Sequence, residues 1–145
     1  MNEFAKFYQR FRLEELKLFE TKHWVWSLRP VQATLGSGVL SLKRPCSEFS
    51  QLEEEEFRDL KAIVKIIEQT LSRTFDYDVI NYLMLMMVDK HVHFHVIPRY
   101  ASSIEMFDTV WHDKCWPGAH DLAGKVEEPL VLKKVCEFIK TNILS

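Results

Sequence analysis

The sequence of 145 residues has few cysteines and little net charge, and both shortages exclude classes of protein. Its three cysteines, Cys46, Cys115 and Cys136, are odd in number and form no C-x-x-C pair. This argues against a disulfide framework and against a thiolate zinc site. The formal net charge is −2, so the overall field does not attract a polyanion, and we expect no nucleic acid partner.

Long apolar runs are also missing from the chain. The longest, residues 82–88, is far too short to span a bilayer, and the N-terminus shows no basic stretch followed by an apolar core. We therefore expect no membrane partner, no signal peptide and a cytoplasmic location. The length and the ordinary content of hydrophobic (47%) and charged (28%) residues predict one folded domain over residues 1–145.

Apolar spacing and capping signals predict three helices. A short N-terminal helix carries an aromatic stripe that we expect to pack inward, formed by Phe4, Phe7, Tyr8 and Phe11. Ser50 and Glu53 predict a capping box that begins a long helix. Its expected inward residues are Phe57, Leu60, Ile63, Val64, Ile67 and Leu71. Pro129 predicts the start of a C-terminal helix. Its expected inward residues are Val131, Leu132, Val135, Phe138 and Ile139.

Strands are predicted at residues 16–20, 23–28, 39–43, 77–87 and 91–97. The first two form a hairpin with a turn at Thr21-Lys22, and Pro98 is expected to end the last one. We expect the core to occupy about residues 14–110, followed by a tryptophan-rich tail and the C-terminal helix over residues 111–145.

The most informative feature is the alternation of His91, His93 and His95. In a strand these residues point to one face, with imidazoles about 6 to 7 Å apart, while Val92 and Phe94 face the core. Three interpretations compete. The first is a solvated strand face. The second is a metal site completed by another ligand such as His112 or His120, and the third is a nucleophile with a neighbouring acid.

The run His91-Val92-His93-Phe94-His95-Val96-Ile97 resembles the H-φ-H-φ-H-φ-φ signature of the histidine triad (HIT) family. The continuation Pro98-Arg99 is similar to the residues that follow this signature in the family branch that acts on dinucleoside polyphosphates. The resemblance implies an α+β, HIT-like fold with a five-stranded antiparallel sheet, a long helix after the third strand and a homodimeric sheet. It also implies hydrolysis or transfer at the α-phosphate of a nucleotide.

By the same resemblance, His93 is the nucleophile that forms a nucleotidyl-histidine, His95 contacts the phosphate and assists the leaving group, and His91 orients the row. Crowding disfavours three charged imidazoles, so we expect a mixed protonation state near neutral pH. No cofactor or resident metal is expected, apart from a divalent ion that accompanies the nucleotide.

The resemblance further places six residues as candidate substrate contacts: Asn81, Arg99, Ser27, Arg29, Gln32 and Trp116. Arg99 has a planar fork suited to phosphate oxygens, and Trp116 can stack on a base. Three of the six, Asn81, Arg99 and Trp116, also have a structural alternative. A strand asparagine can satisfy buried groups, Arg99 can be solvated, and Trp111 and Trp116 can pack the tail onto the sheet.

Two departures from the family pattern leave the substrate open. Met86-Met87-Val88-Asp89-Lys90 replaces a glycine-rich loop, and Leu35-Gly36-Ser37 replaces Pro-Gly-His. Dinucleoside polyphosphates are the expected substrates. The alternatives are nucleoside phosphoramidates or adenylyl amines, and a nucleotide-binding module with little turnover.

Overall fold

A computed structural model describes residues 2–144. In the described chain, helices and strands follow one another as α1 (Glu3–Arg10), β1 (Lys17–Glu20), β2 (Trp24–Leu28), β3 (Gly38–Leu42), α2 (Glu54–Phe75), β4 (Val79–Leu83), β5 (His93–Arg99), β6 (Ile104–Met106), β7 (Thr109–Trp111) and α3 (Pro129–Thr141). A short 3-10 helix, Phe49–Gln51, precedes α2. None of these helices is long and apolar enough to cross a membrane.

Five strands form one antiparallel sheet in the order β1-β2-β3-β5-β4, with β5 between β3 and β4. This confirms the predicted α+β fold, with a five-stranded antiparallel sheet and a long helix after its third strand. The bounds of β1, β2 and β3 differ from the predicted ones by a single residue at one or both ends. Strand alternation places Trp24 and Trp26 on the face covered by α2, where the Trp24 indole N–H donates to the Glu56 carbonyl.

The start of α2 differs from the prediction. Glu53, not Ser50, is the N-cap, and the capping box joins Glu53 to Glu56. Ser50 lies in the 3-10 helix, and Leu52 is extended and buried in the core, which interrupts a helix begun at Ser50. Phe57 is consequently 43% exposed rather than inward.

The C-terminal helix α3 extends the core beyond the expected boundary at residue 110. Leu132, Val135 and Ile139 are buried in the main cluster, as expected. Phe138 was predicted to be inward but is 37% exposed. Its ring instead contacts Phe75 at the edge of the core, with the centroids 6.2 Å apart.

The two strands that position the candidate site also have corrected bounds. The predicted strand at 77–87 ends at Leu83, and Met86 has a φ of 53°, which extended backbone does not adopt. The prediction that Pro98 ends β5 is wrong, because β5 continues to Arg99. Pro98 is tolerated because β3 begins opposite Val96, so residue 98 has no ladder partner on that side.

The hairpin of β6 and β7 was not predicted from the sequence. Its turn residues, Phe107 and Asp108, both have positive φ. Such turns ordinarily carry Asn-Gly or Asp-Gly, and Phe-Asp gives no comparable signal.

Candidate active site

The three histidines lie on the sheet face opposite α2. His93 and His95 are on β5, in register with Ser41 and Val39 of β3, and His91 lies two residues before the strand begins. The predicted alternation therefore brings the three imidazoles together on one side of the sheet.

Helix α1 covers this row with its aromatic stripe. Phe4 lies over His91, with ring centroids 4.6 Å apart, and Phe7 contacts both His91 (5.2 Å) and His93 (4.7 Å). Phe11 reaches His95 at 5.9 Å. The stripe packs inward as expected, but its partners are the imidazoles. As a result His91, His93 and His95 are only 4%, 2% and 8% exposed.

Hydrogen bonds occupy both ring nitrogens of His91. The Cys46 N–H donates to Nδ1 at 3.3 Å, and Nε2 lies 2.8 Å from the Leu42 carbonyl oxygen, which can only accept. The proton of His91 is therefore on Nε2. This ring is held in one neutral tautomer, a geometry suited to orienting the row.

His93 is held in the opposite tautomer. Its Nδ1 lies 2.6 Å from the His91 carbonyl oxygen, so Nδ1 carries the proton and donates it to that oxygen. The Nε2 lone pair is then free, which is the state that a nucleophile needs. The His95 ring stands edge-on to His93 with centroids 5.1 Å apart, and its buried Nδ1 has no hydrogen-bond partner within the described residues.

Burial beneath α1 keeps the three imidazoles neutral. It lowers the pKa of His91 to about 4, that of His95 to about 3, and that of His93 in the same direction. The expected mixed protonation state is therefore wrong for the covered site. The cause is desolvation by the aromatic helix, which the spacing of the histidines does not reveal.

This burial predicts that acid weakens the fold. Below about pH 6.5 the unfolded histidines bind protons, whereas in the folded protein burial lowers the pKa of His91 to about 4 and that of His95 to about 3, so stability falls as the pH drops from 7 to 5. Each unit of pKa depression contributes about 1.4 kcal/mol. Urea unfolding at both pH values measures the loss. A variant in which Gln replaces all three histidines should lose less, and an equal loss would contradict the assignment.

Three predicted contacts, Asn81, Arg99 and Trp116, meet at the C-terminal end of β5. Arg99 donates to Asn81 Oδ1 at 2.9 Å and to both oxygens of Asp113 at 2.7 and 3.2 Å. It also donates to the Gly118 carbonyl, and these contacts join the tail to the sheet. Asn81, Arg99 and Trp116 line one surface pocket. Since its donors are already paired, Arg99 anchors the tail in this structure, and a phosphate contact stays a prediction.

Asp113 is the residue of this network that the sequence did not indicate. Burial opposes its charge, yet the Arg99 guanidinium keeps the pKa of Asp113 below its usual value. Replacing Asp113 with Ala leaves Arg99 buried and unpaired, so we expect a loss of about 3–5 kcal/mol in unfolding free energy, measured by urea titration. Asp121→Ala, which breaks an exposed pair with Lys114, should cost far less, because solvent screens an exposed ion pair. Comparable losses in the two variants would contradict this reading.

Ser27 and Gln32 are engaged in holding the backbone. The Ser27 hydroxyl donates to the Leu13 carbonyl at 2.8 Å, and Gln32 Nε2 donates to the carbonyls of Arg29 and Ser37. The Gln32 bonds fix the segment between β2 and β3, and the Ser27 bond joins β2 to the residues before β1. A substrate contact by either residue stays a prediction.

The geometry does not favour the metal interpretation of the histidine row. Among residues 2–144, one group of three ligand-type side chains comes together, and it consists of Cys115, His120 and Asp121 in the tail. There His120 Nδ1 already accepts the Leu122 N–H at 2.9 Å, and Asp121 accepts the Ala123 N–H. These bonds describe a turn, and His112 is exposed beside Ser103.

Comparisons with known proteins agree with the geometry. A family model described as HIT domain matches residues 39–102, from β3 through β5. A histidine triad protein from Sinorhizobium meliloti 1021 superposes with a TM-score of 0.71 at 20% identity, covering 91% of this chain and 93% of that one. Diadenosine triphosphate hydrolase from Plasmodium falciparum gives 0.66 at 11%, covering 97% and 95%.

A zinc-bound histidine triad family protein from Mycobacterium smegmatis is also similar, with a TM-score of 0.63 at 14% identity, covering 88% of this chain and 82% of that chain. No curated protein sequence gives a significant match. The fold of this chain is thus the one that these histidine triad proteins share, and the segment that matches the HIT domain model includes His91, His93 and His95.

Proposed function

We propose that this chain hydrolyses a nucleotide, or transfers its nucleotidyl group, at the α-phosphate, because its residues 39–102 match the HIT domain model. The observation that carries this proposal is the tautomer of His93. The bond from Nδ1 to the His91 carbonyl leaves Nε2 unprotonated beside a second imidazole. A neutral imidazole held in this way is a competent nucleophile near neutral pH.

In the proposed reaction, His93 Nε2 forms a bond to the α-phosphorus while the bond from phosphorus to the leaving oxygen breaks. His95 donates a hydrogen bond from its neutral ring to the phosphoryl group or to the departing oxygen. Water then attacks the phosphorus and loses a proton to solvent, the P–N bond breaks and the neutral His93 imidazole is restored. An acceptor other than water gives nucleotidyl transfer. The covalent route itself requires no cofactor.

This chemistry requires α1 to move. The histidines are almost completely covered, and no phosphate can reach His93 while Phe7 lies 4.7 Å from its ring. We therefore include displacement of α1 in the proposal. An ion pair between Arg10 and Asp89, 2.8 Å long, joins α1 to the turn before the row and has to break when the helix leaves.

Dinucleoside polyphosphates are the proposed substrates. Support comes from the likeness of Pro98-Arg99 to that branch and from the shared fold of the diadenosine triphosphate hydrolase. Cleavage at the α-phosphate of diadenosine triphosphate predicts AMP and ADP as products. Nucleoside phosphoramidates, which release an amine, are the alternative substrates.

A panel of both substrate classes tests the proposal. Diadenosine tri- and tetraphosphate and adenosine phosphoramidate are each incubated with the full chain, and the products are separated by chromatography. We expect faster release of mononucleotide from the dinucleotides. A strong preference for the phosphoramidate would overturn the substrate class, and no turnover of any member would overturn the enzymatic proposal.

Burial of the row supports a second candidate, a nucleotide-binding module with little turnover. The replacement of the glycine-rich loop by residues 86–90 favours the same candidate. This candidate predicts tight nucleotide binding without hydrolysis at high protein concentration. If that result holds both for the natural sequence and for a variant with a loosened α1, it favours the binding module over the enzyme.

We also propose a homodimer formed through β4. This strand is at the edge of the sheet and is only partly covered, and the residues after it expose Leu85, Met87 and Val88. A second copy would continue the sheet and cover these side chains. Light scattering should give twice the mass of 17.2 kDa, and Met87→Glu should shift the protein toward the monomer.

A further inference from the structure

Arg29, at the end of β2, has a well-defined backbone position. Its N–H donates to the Ser37 carbonyl at 2.9 Å, and its own carbonyl accepts from Gln32 at 2.8 Å. These bonds fix the backbone of Arg29, so that only its side chain can change conformation.

Strand register places Arg29 on the histidine face. Ser27, Val39 and His95 lie in one cross-strand row and therefore share a face of the sheet. Arg29 is two residues beyond Ser27 and thus points to the same side. The Arg29 charge and burial both lower the pKa of His95, burial being the larger cause, so the two side chains are within electrostatic reach.

The Arg29 guanidinium is buried without a counterion among the described residues. The residue is 8% exposed, and within residues 2–144 its Nε has no hydrogen-bond partner and its Nη1 donates only to the Val31 carbonyl at 3.4 Å. Arg99, on the same face, shows the contrasting arrangement, with a carboxylate, an amide and a carbonyl around its donors. A buried cation without a partner is unfavourable, and such groups ordinarily have a counterion.

We propose that Arg29 and His95 form an anion subsite that takes phosphate oxygens of the nucleotide. The Arg29 fork supplies two parallel donors, and His95 Nδ1 is a second unpartnered group in the same buried region. The subsite makes the phosphate the part of the substrate that Arg29, a candidate substrate contact by the sequence resemblance, would bind. It supplies the charge that a glycine-rich loop would otherwise provide through backbone N–H groups. This inference rests on the proposed function.

Thermal unfolding gives a readout that is independent of turnover. We compare the full chain with Arg29→Gln and Arg29→Lys, in adenosine 5′-monophosphate or adenosine at constant ionic strength. The monophosphate should stabilise the natural sequence and should bind Arg29→Gln about 10- to 100-fold more weakly, because charge-assisted hydrogen bonds are lost. Adenosine should bind both equally. Arg29→Lys should recover part of the affinity, since it keeps the charge but not the fork.

The ligand-free proteins separate an anion subsite from a structural role. Without ligand, Arg29→Gln should unfold at the same temperature as the natural sequence or at a higher one, because it removes an unpaired buried charge. Arg58→Gln, an exposed arginine on α2, is the control and should change neither stability nor binding. A lower unfolding temperature for ligand-free Arg29→Gln, or an equal loss of adenosine and monophosphate binding, would overturn the inference.

The two proposals fail in different ways. If the chain turns over no nucleotide but the monophosphate stabilises it through Arg29, the anion subsite is right and the enzymatic proposal is wrong. If turnover is present and Arg29→Gln binds the monophosphate normally, the subsite is wrong and the enzymatic proposal is unaffected.

Discussion

Replacing His93 with alanine is expected to lower the rate of nucleotide release by at least about 10³-fold, because no other group replaces the attacking nitrogen. The rate is measured by chromatography on the best substrate of the panel. The variant should remain folded, because the His93 ring packs against Phe7 in the small cluster beneath α1 and not in the main core.

His112→Ala is the matched control for this prediction. His112 is exposed in the tail beside Ser103 and does not contact the row, so its loss should leave the rate unchanged. Turnover by His93→Ala at the natural rate, in a protein that unfolds normally, would remove His93 from the role of nucleophile.

Replacing Phe7 with alanine is expected to raise kcat/KM by about 10-fold or more. Phe7 is fully buried against His91 and His93, and loss of such a ring removes about 3–5 kcal/mol of packing. Phe7 belongs to a small cluster with Leu13 and Val39, separate from the main core, so the loss falls mainly on the docking of α1. If substrate cannot bind while α1 covers the histidines, the apparent affinity for substrate rises with the fraction of molecules in which α1 is displaced.

Phe57→Ala serves as the control, because Phe57 is partly exposed on α2, away from the histidine face. It should leave kcat/KM unchanged. A decrease in kcat/KM for Phe7→Ala, with binding of nucleotide weakened, would show instead that Phe7 belongs to the nucleotide site and that α1 is not a cover.

Much of the fold could be predicted from local patterns. The alternation of His91, His93 and His95 with apolar residues predicts one strand with two different faces, and the structure has this arrangement. The sheet and the three helices follow from similar periodicities. The bounds of these elements were predicted less accurately. The long helix does not begin at Ser50, for example, because the burial of Leu52 outweighs the local capping signal.

The environment of the site could not be predicted in the same way, since it depends on contacts between distant parts of the chain. Helix α1 can be predicted from its aromatic spacing, but that spacing does not indicate that its aromatic rings pack against the histidines. The neutral state of the row follows from that contact. Likewise Asp113 pairs with Arg99 only because the tail folds back onto the sheet, and no sequence motif indicates this pair.

The most direct test of the account is to look for the covalent intermediate. A radiolabelled diadenosine polyphosphate is mixed with excess protein, the reaction is stopped in base within milliseconds to seconds, and the labelled peptide is mapped by mass spectrometry. The account predicts an adenylyl group on His93, absent in His93→Ala and more abundant in Phe7→Ala. Efficient turnover with no labelled histidine, or with the label on another residue, would contradict it.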